Sequence, residues 1–364
     1  MIDTEKLSGT QIAMLLFLLI MATSVLFVPG ITADRAKQSA WIASVFASLA
    51  GYISLWIISK LGQRFPQQTL PQYTEILLGK ALGKMVGGAY VIYFLVVNIL
   101  VIREFSDFLT NTLMPATPGV LFSTIIVLIG ANAAFKGIEV IARMAQFVLP
   151  LFVFSLIVIL GLAAPSMELE KLQPFLEGGV SPIIIGSVVP ASWYGEIVAL
   201  AILLPMVNKP QEIKLKGVLT LLAVTFFLSA DTLITLAVLG PYLTGDLVFP
   251  FLYLAKFIEF GNFLQRMETL IIFLWITGIV IKVDVLYYLV CFTTAQVLSL
   301  KAYKPVIYPA ALIQILAATF LFRNTPELSK FLSENWPPFG LLFEVGLPLI
   351  LLVVAIIRGK GAKK

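Results

Sequence analysis

The feature that most constrains this chain is a succession of apolar runs, each about as long as a membrane-spanning helix. Crossing the hydrocarbon takes about 20 residues of helix. Ten stretches qualify, at roughly 10–30, 40–60, 83–109, 119–134, 144–163, 184–206, 217–239, 268–298, 305–322 and 339–357. Charged residues make up only 12 % of the 364, and hydrophobic residues 59 %. A soluble domain carries roughly 25 % charge, and no water-soluble core absorbs this much apolar sequence. The sequence predicts an all-α polytopic membrane protein: ten transmembrane helices in a single transmembrane domain over 1–364, with the bilayer as solvent.

Composition excludes much else. The chain has no histidine and a single cysteine, Cys291. A histidine proton relay, a serine–histidine hydrolase, a disulfide framework and a cysteine-rich metal site are therefore ruled out. No catalytic constellation is visible, so neither an enzyme nor a cofactor or metal site is expected. The net charge of +5 is spread over loops and the C-terminal tail. That pattern reflects membrane topology rather than nucleic-acid binding. The start "MIDTEKLSGTQ" has no basic leader or cleavage site, and no signal peptide is expected. With the N-terminus in the cytoplasm, Lys60, Arg64, Lys80, Lys84, Lys136, Arg143, Lys209, Lys214, Lys216, Lys301, Lys304, Arg358, Lys360, Lys363 and Lys364 fall on the inner side with Lys6. Arg35, Lys37, Lys171, Lys256, Arg266, Arg323 and Lys330 fall outside. This bias places both termini in the cytoplasm.

Ten spans divide as five plus five. Because five is odd, the second half enters the membrane from the opposite side, the arithmetic of an inverted-topology repeat. Repeat one covers about 10–163 and repeat two about 184–357. The first span of each half is spoiled at its middle. In span 1 the stretch is "MATSVLFVPG", with Ala22, Thr23 and Ser24 before Pro29 and Gly30. In span 6 it is "SVVPASWYGEIV", Ser187 to Val198, holding Val189, Pro190, Ser192, Trp193, Gly195 and Glu196. Proline lacks an N–H and clashes with the preceding turn, so both spans are expected to be broken, near Ala22–Ser24 and Val189–Gly195. Unwound backbone at that depth is tolerated where it lines a cavity. Freed N–H groups hold a carboxylate and freed carbonyls an ammonium or a cation, so the site suits a zwitterion such as an amino acid.

The third span of each half carries charge: Arg103, Glu104 and Asp107 in one, Lys282 and Asp284 in the other. Glu196 serves either as a cap on the second half-helix or in a ligand or proton role. Lys282 and Asp284 are either coupling groups or merely paired or snorkelled charges. Arg103 and Glu104 are read as lying near a membrane edge. Trp193 is expected to wall the pocket and Tyr93 and Tyr288 to close it, although Tyr287 and Tyr288 also fit an interfacial aromatic belt.

The two spoiled spans resemble those of the amino acid/polyamine/organocation transporter superfamily, which has a five-plus-five, LeuT-like fold with helices 1 and 6 broken. Ala22-Thr23-Ser24, Val25-Leu26 and Pro29 stand where that superfamily has a small-polar-small turn, an aliphatic pair and a proline. Ala22 and Ser24 replace its usual glycines, and Trp193, Tyr194, Gly195 and Glu196 look like its sixth-span motif. More narrowly, "FKGIEVIARMAQFVLP" (135–150), "QPFLEGGVSPIIIGS" (173–187) and "METLIIFLWITGIVIKVDVLYY" (267–288) resemble the B subunits of spore germination receptors of the GerA type. That resemblance implies an integral protein of the spore inner membrane, or the bacterial cell membrane. The protein would bind a small nutrient, an amino acid by preference, and act with a large A subunit and a lipoprotein C subunit. The competing expectations are a proton- or cation-coupled amino acid transporter and an ion or water conduit within a larger complex.

Overall fold

The computed structural model describes residues 5–174, 176–257 and 268–361. Arg266, Lys363 and Lys364 of the charge pattern lie outside the described residues, as do residues 1–4 of the N-terminal stretch and Phe175 and Met267 of the family-like stretches. Among the described residues sixteen α-helices follow in order: α1 (Gly9–Ala36), α2 (Ala40–Arg64), α3 (Leu70–Leu78), α4 (Lys80–Thr112), α5 (Gly119–Lys136), α6 (Ile138–Ala163), α7 (Ser181–Gly195), α8 (Leu200–Leu203), α9 (Ile213–Leu239), α10 (Pro241–Asp246), α11 (Pro250–Lys256), α12 (Glu268–Val297), α13 (Ile307–Phe320), α14 (Thr325–Lys330), α15 (Trp336–Leu341) and α16 (Leu347–Ile357). Among the described residues eight helical stretches are long and apolar enough to span a membrane, the first of which, Gly9–Arg64, contains both α1 and α2. Each apolar segment read from the sequence meets a helix. However, α13 has 14 residues, short of the about 20 that a crossing takes.

The loops sort to two ends as the lysine and arginine pattern divides them. At the near end Leu7 bridges Val207, Lys84 donates to Ser299 Oγ, Arg64 to the Lys360 carbonyl, and Lys304 sits over the Phe135 ring. At the far end Lys37 lies over Tyr242, Lys171 donates to the Val238 carbonyl and Asn111 to Thr325. α1 leaves the near end, whereas the 181–206 stretch arrives there. The first spans of the two halves therefore run antiparallel.

These two stretches form the centre. Their apolar windows are 89 % and 83 % buried, against 33 % for Ile138–Ser166. α1 packs on α2, α6, α7, α9 and α12, and Leu15 to Gly30 is buried without interruption. A helix apolar all round belongs inside a bundle, whereas α6 shows Phe147, Phe154 and Ile157 to the lipid.

The expected break at Ala22–Ser24 is absent. α1 runs unbroken from Gly9 to Ala36. Its hydroxyls serve the helix itself: Ser24 Oγ donates to the Ile20 carbonyl at 2.7 Å, and Thr32 Oγ1 to those of Val28 (2.6 Å) and Pro29 (3.3 Å). Such back-bonding lets a membrane helix absorb a proline without unwinding. Span 6 departs from α-geometry, but one turn later than expected. α7 continues through Pro190, with Ser192 Oγ donating to the Val189 carbonyl, and the chain tightens to a 3₁₀ turn over Glu196–Ala199. A stretch of 3₁₀ inside a helix often marks a functional hinge or a strained sequence. The last apolar stretch begins earlier than expected, so that span 10 covers Thr325–Ile357 and carries two π-turns, Phe331–Asn335 and Leu342–Gly346.

Candidate functional site

The 3₁₀ turn begins at Glu196 and is the key to the site. It points the carboxylate across the bundle at α12, where Lys282 Nζ donates to Oε1 at 2.8 Å and Oε2 at 2.7 Å. The third donor of the ammonium goes to Thr23 Oγ1 on α1 at 2.8 Å. Lys282 and Thr23 are 0 % exposed and Glu196 4 %. One ammonium thus ties together span 1, span 6 and span 8 in the middle of the bundle. Lys282 has no free donor left, which is the condition under which a buried charge is tolerable.

Glu344 lies alongside. It sits in the second π-turn of span 10, 0 % exposed, and accepts from Tyr93 Oη at 2.8 Å. The π-turn releases backbone acceptors, which are used by the hydroxyls of Ser54 (to the Glu344 carbonyl) and Tyr90 (to the Phe343 carbonyl), both at 2.8 Å. Its Oε2 has no hydrogen-bond partner among the described residues and packs where a side chain on Gly195 would stand: a Cβ there would overlap Oε2. Glycine is required at 195 because a carboxyl group fills the space. Glu104 is also buried, 3 % exposed, with Oε2 unpartnered. Glu104 and Glu344 both lie within electrostatic reach of Lys282 and Glu196. The centre therefore holds three carboxyl groups around one ammonium.

The structure brings Thr23, Glu196 and Lys282 together and sets Tyr93 beside them through Glu344. It corrects the reading of Glu104, which lies in this cluster and not at a membrane edge. Arg103 is the edge residue, bonding Asp107 at 2.8 Å and the carbonyls of Ala318, Thr319 and Phe322 at the end of α13. The other expected residues lie apart from the ammonium. Ala22 packs on Gly278, and Ser24 and Ser192 spend their hydroxyls on their own helices. Pro190 and Trp193 are buried within α7, and Val189 lines a cavity at the far end. Tyr288 faces the near end, its ring stacked on Phe292 and its hydroxyl on Met206 Sδ at 3.7 Å. Asp284 is 0 % exposed, and neither carboxylate oxygen has a partner among the described residues. Glu344 escaped the sequence reading altogether. The available signal was a lone glutamate inside an apolar run, "LLFEVGLP", because ionisable residues in a span are functional candidates by default.

A protein family described as "Spore germination protein" matches residues 6–329 of the chain. The chain belongs to this family. Spore germination protein KB of Bacillus subtilis (strain 168) is 25 % identical over 368 residues, covering 100 % of this chain and 98 % of that protein. Spore germination protein YndE of the same organism is 23 % identical, covering 99 % of each. Spore germination protein XB of Bacillus anthracis is 21 % identical, covering 91 % of this chain and 92 % of that one. Among solved structures, MhsT in complex with L-phenylalanine superposes with a TM-score of 0.67 at 13 % identity, covering 97 % of this chain and 99 % of that one. Mhp1, a nucleobase-cation-symport-1 family transporter closed on bromovinylhydantoin, gives 0.64 at 14 %, covering 98 % and 79 %. These likenesses show the LeuT-like fold expected from the sequence. The family is a germination family with a transporter-like fold, not a family of enzymes.

Proposed function

We propose that this chain is the nutrient-binding membrane subunit of a spore germinant receptor. In this reading it lies in the spore inner membrane with both termini cytoplasmic, assembles with A and C subunits, and senses a small molecule, by preference an amino acid. It is a single transmembrane domain of two inverted repeats. The observation that carries the reading is the Lys282 ammonium held between Glu196 and Thr23. It joins the two central antiparallel stretches to span 8 through side chains. A ligand carrying its own ammonium or carboxylate competes for one partner of this pair, and losing the pair releases three spans at once. Differential affinity for the released state is what moves such an equilibrium. Glu196, Lys282 and Asp284 are the switching groups, and Thr23 is the anchor on span 1.

A second reading, proton-coupled amino acid transport, draws on the carboxyl groups around a single ammonium, because proton relays in membranes are built from such groups. Labelled amino acids offered to the purified protein in liposomes separate the two. The receptor reading expects saturable binding with no accumulation inside the vesicle. Concentrative uptake driven by a pH gradient overturns it in favour of transport.

A further inference from the structure

A cavity lies toward the far end of the bundle, away from the ion pair. Among the described residues a cavity of about 260 Å³ opens at the far end, between α1, span 6, the 245–248 segment and the 329–333 segment of span 10. Ligand pockets for drug-sized molecules run from about 300 Å³ upward, so this one is sized for something smaller. Its inner wall is apolar: Phe27 and Ile31 of α1, Val189 of α7 and Leu332 of span 10. Its rim is charged with both signs. Asp34 and Asp246 supply carboxylates, and Arg35 and Lys330 supply cations. Asp34 and Arg35 pair with each other at 3.2 Å while about half exposed. Among the described residues Asp246 and Lys330 make no ion pair.

The cavity is stacked on the central site. Phe27 follows Thr23 by four residues and so stands one turn further along the same face of α1, a rise of about 6 Å. Its ring is wedged against Phe249 (centroids 5.4 Å apart), which meets Phe108 (5.1 Å), which meets Trp275 (4.2 Å). This aromatic row ties the α1 wall of the cavity to α4 and α12. The 247 segment is pinned to the helix: a Cβ on Gly30 would come within 2.7 Å of the Leu247 carbonyl oxygen, so only glycine lets it approach this closely.

We infer that this far-end cavity is a binding site for a zwitterionic α-amino acid with a small aliphatic side chain, separate from the Lys282–Glu196 site and in front of it. The rim offers a carboxylate to the ammonium and a cation to the carboxylate, and the inner wall takes the side chain. An anion or a cation alone would meet two rim groups of its own sign. The inference rests on the amino acid reading of the nutrient, and its test keeps the two apart.

The purified full-length protein in detergent is melted in the presence of each of the twenty L-amino acids at millimolar concentration. The variants are Val248→Trp, which fills the cavity from a position 47 % exposed, and Asp246→Lys, which removes one of the two rim carboxylates. Leu222→Trp, on a lipid-facing position 53 % exposed, is the control. At least one aliphatic amino acid is expected to raise the melting temperature of the wild type and of the control. In both cavity variants its apparent Kd should be about tenfold weaker or more. Equal stabilisation of wild type and both cavity variants overturns the far-end site and leaves the amino acid reading standing. No stabilisation of the wild type by any of the twenty overturns both.

Discussion

The Lys282–Glu196 pair should be strongly destabilising to break from one side and close to neutral to remove from both. Both oxygens of Glu196 accept from the ammonium, and neither partner is more than 4 % exposed. Lys282→Met leaves a buried carboxylate without its only ammonium, a loss of about 3–5 kcal/mol. At 1.4 kcal/mol per factor of ten, that lowers the folded-to-unfolded ratio by roughly two to three and a half powers of ten. Glu196→Met strands the ammonium in the same way. Replacing both by methionine removes both desolvation costs and fills the space with apolar atoms, so the double variant should recover to within about 1 kcal/mol of wild type or exceed it. Thr23 then turns its hydroxyl to the Leu19 carbonyl, as Ser24 does toward Ile20. The assay is reversible unfolding in mixed micelles on a denaturing-detergent gradient, followed by tryptophan fluorescence, with the four proteins closing a double-mutant cycle. A single variant within about 1 kcal/mol of wild type would show the two groups to be uncoupled. The same double variant, expressed in spores lacking their own receptor for the nutrient, should be present in the membrane but unresponsive. A normal nutrient response from it would reduce the pair to scaffolding.

Further expectations follow from individual contacts. Gly195→Ala should lose the nutrient response and about 1–3 kcal/mol through overpacking on Glu344, and Glu344→Ala in the same chain should restore most of the stability; failure of that rescue would mean that Glu344 is not what the glycine accommodates. Asp284→Leu should impair germination far more than Glu334→Leu, because Asp284 is buried and Glu334 lies exposed at the far end; equal tolerance in a germination assay would count against a role for Asp284. Cysteines placed at Lys80 and Lys214 should be labelled from the same side of the membrane, with buried Cys291 silent; opposite labelling would refute the division of the loops into two ends.

Much of this was readable in the sequence, and the misses have physical causes. Apolar run lengths located the helices, because a bilayer leaves the backbone few alternatives. The lysine and arginine pattern sorted the loops correctly to two ends of the bundle. Thr23, Glu196 and Lys282 were each singled out by rule, but no periodicity tells which of three distant spans meet. The proline–glycine pairs misled because a proline in a membrane helix predicts lost hydrogen bonds, not an unwound chain. α1 stays helical through Pro29, with Ser24 and Thr32 bonded back to the Ile20, Val28 and Pro29 carbonyls of the same helix. Glu104 reads with Arg103 as an edge residue, but the ion pair at that edge is Arg103 with Asp107. Those two share a face at i and i+4, whereas Glu104 is turned about 100° from Arg103, into the bundle. The chain offered the residues but not their helical phase.

That phase bears on how a transporter-like fold would sense instead of carry. A broken span 1 would offer freed backbone groups to a ligand or ion at little cost. In this protein span 1 is whole, and the corresponding depth is held by a lysine side chain that already satisfies Thr23 and Glu196. On the reading proposed above, a nutrient gains the released state only by taking the place of one partner, because a released state that strands either charge costs about 3–5 kcal/mol. Driving a two-state equilibrium from 1:99 to 99:1 takes about 5.5 kcal/mol of differential affinity, a figure of the same order. The cost of a stranded charge thus keeps the resting state populated, and one small molecule with a charge of its own can lift that cost by pairing with the partner left behind. A chain built this way responds as a switch, because the ligand's binding energy goes into breaking a latch. Abolishing the latch in the double methionine variant should therefore cost the response and not the fold.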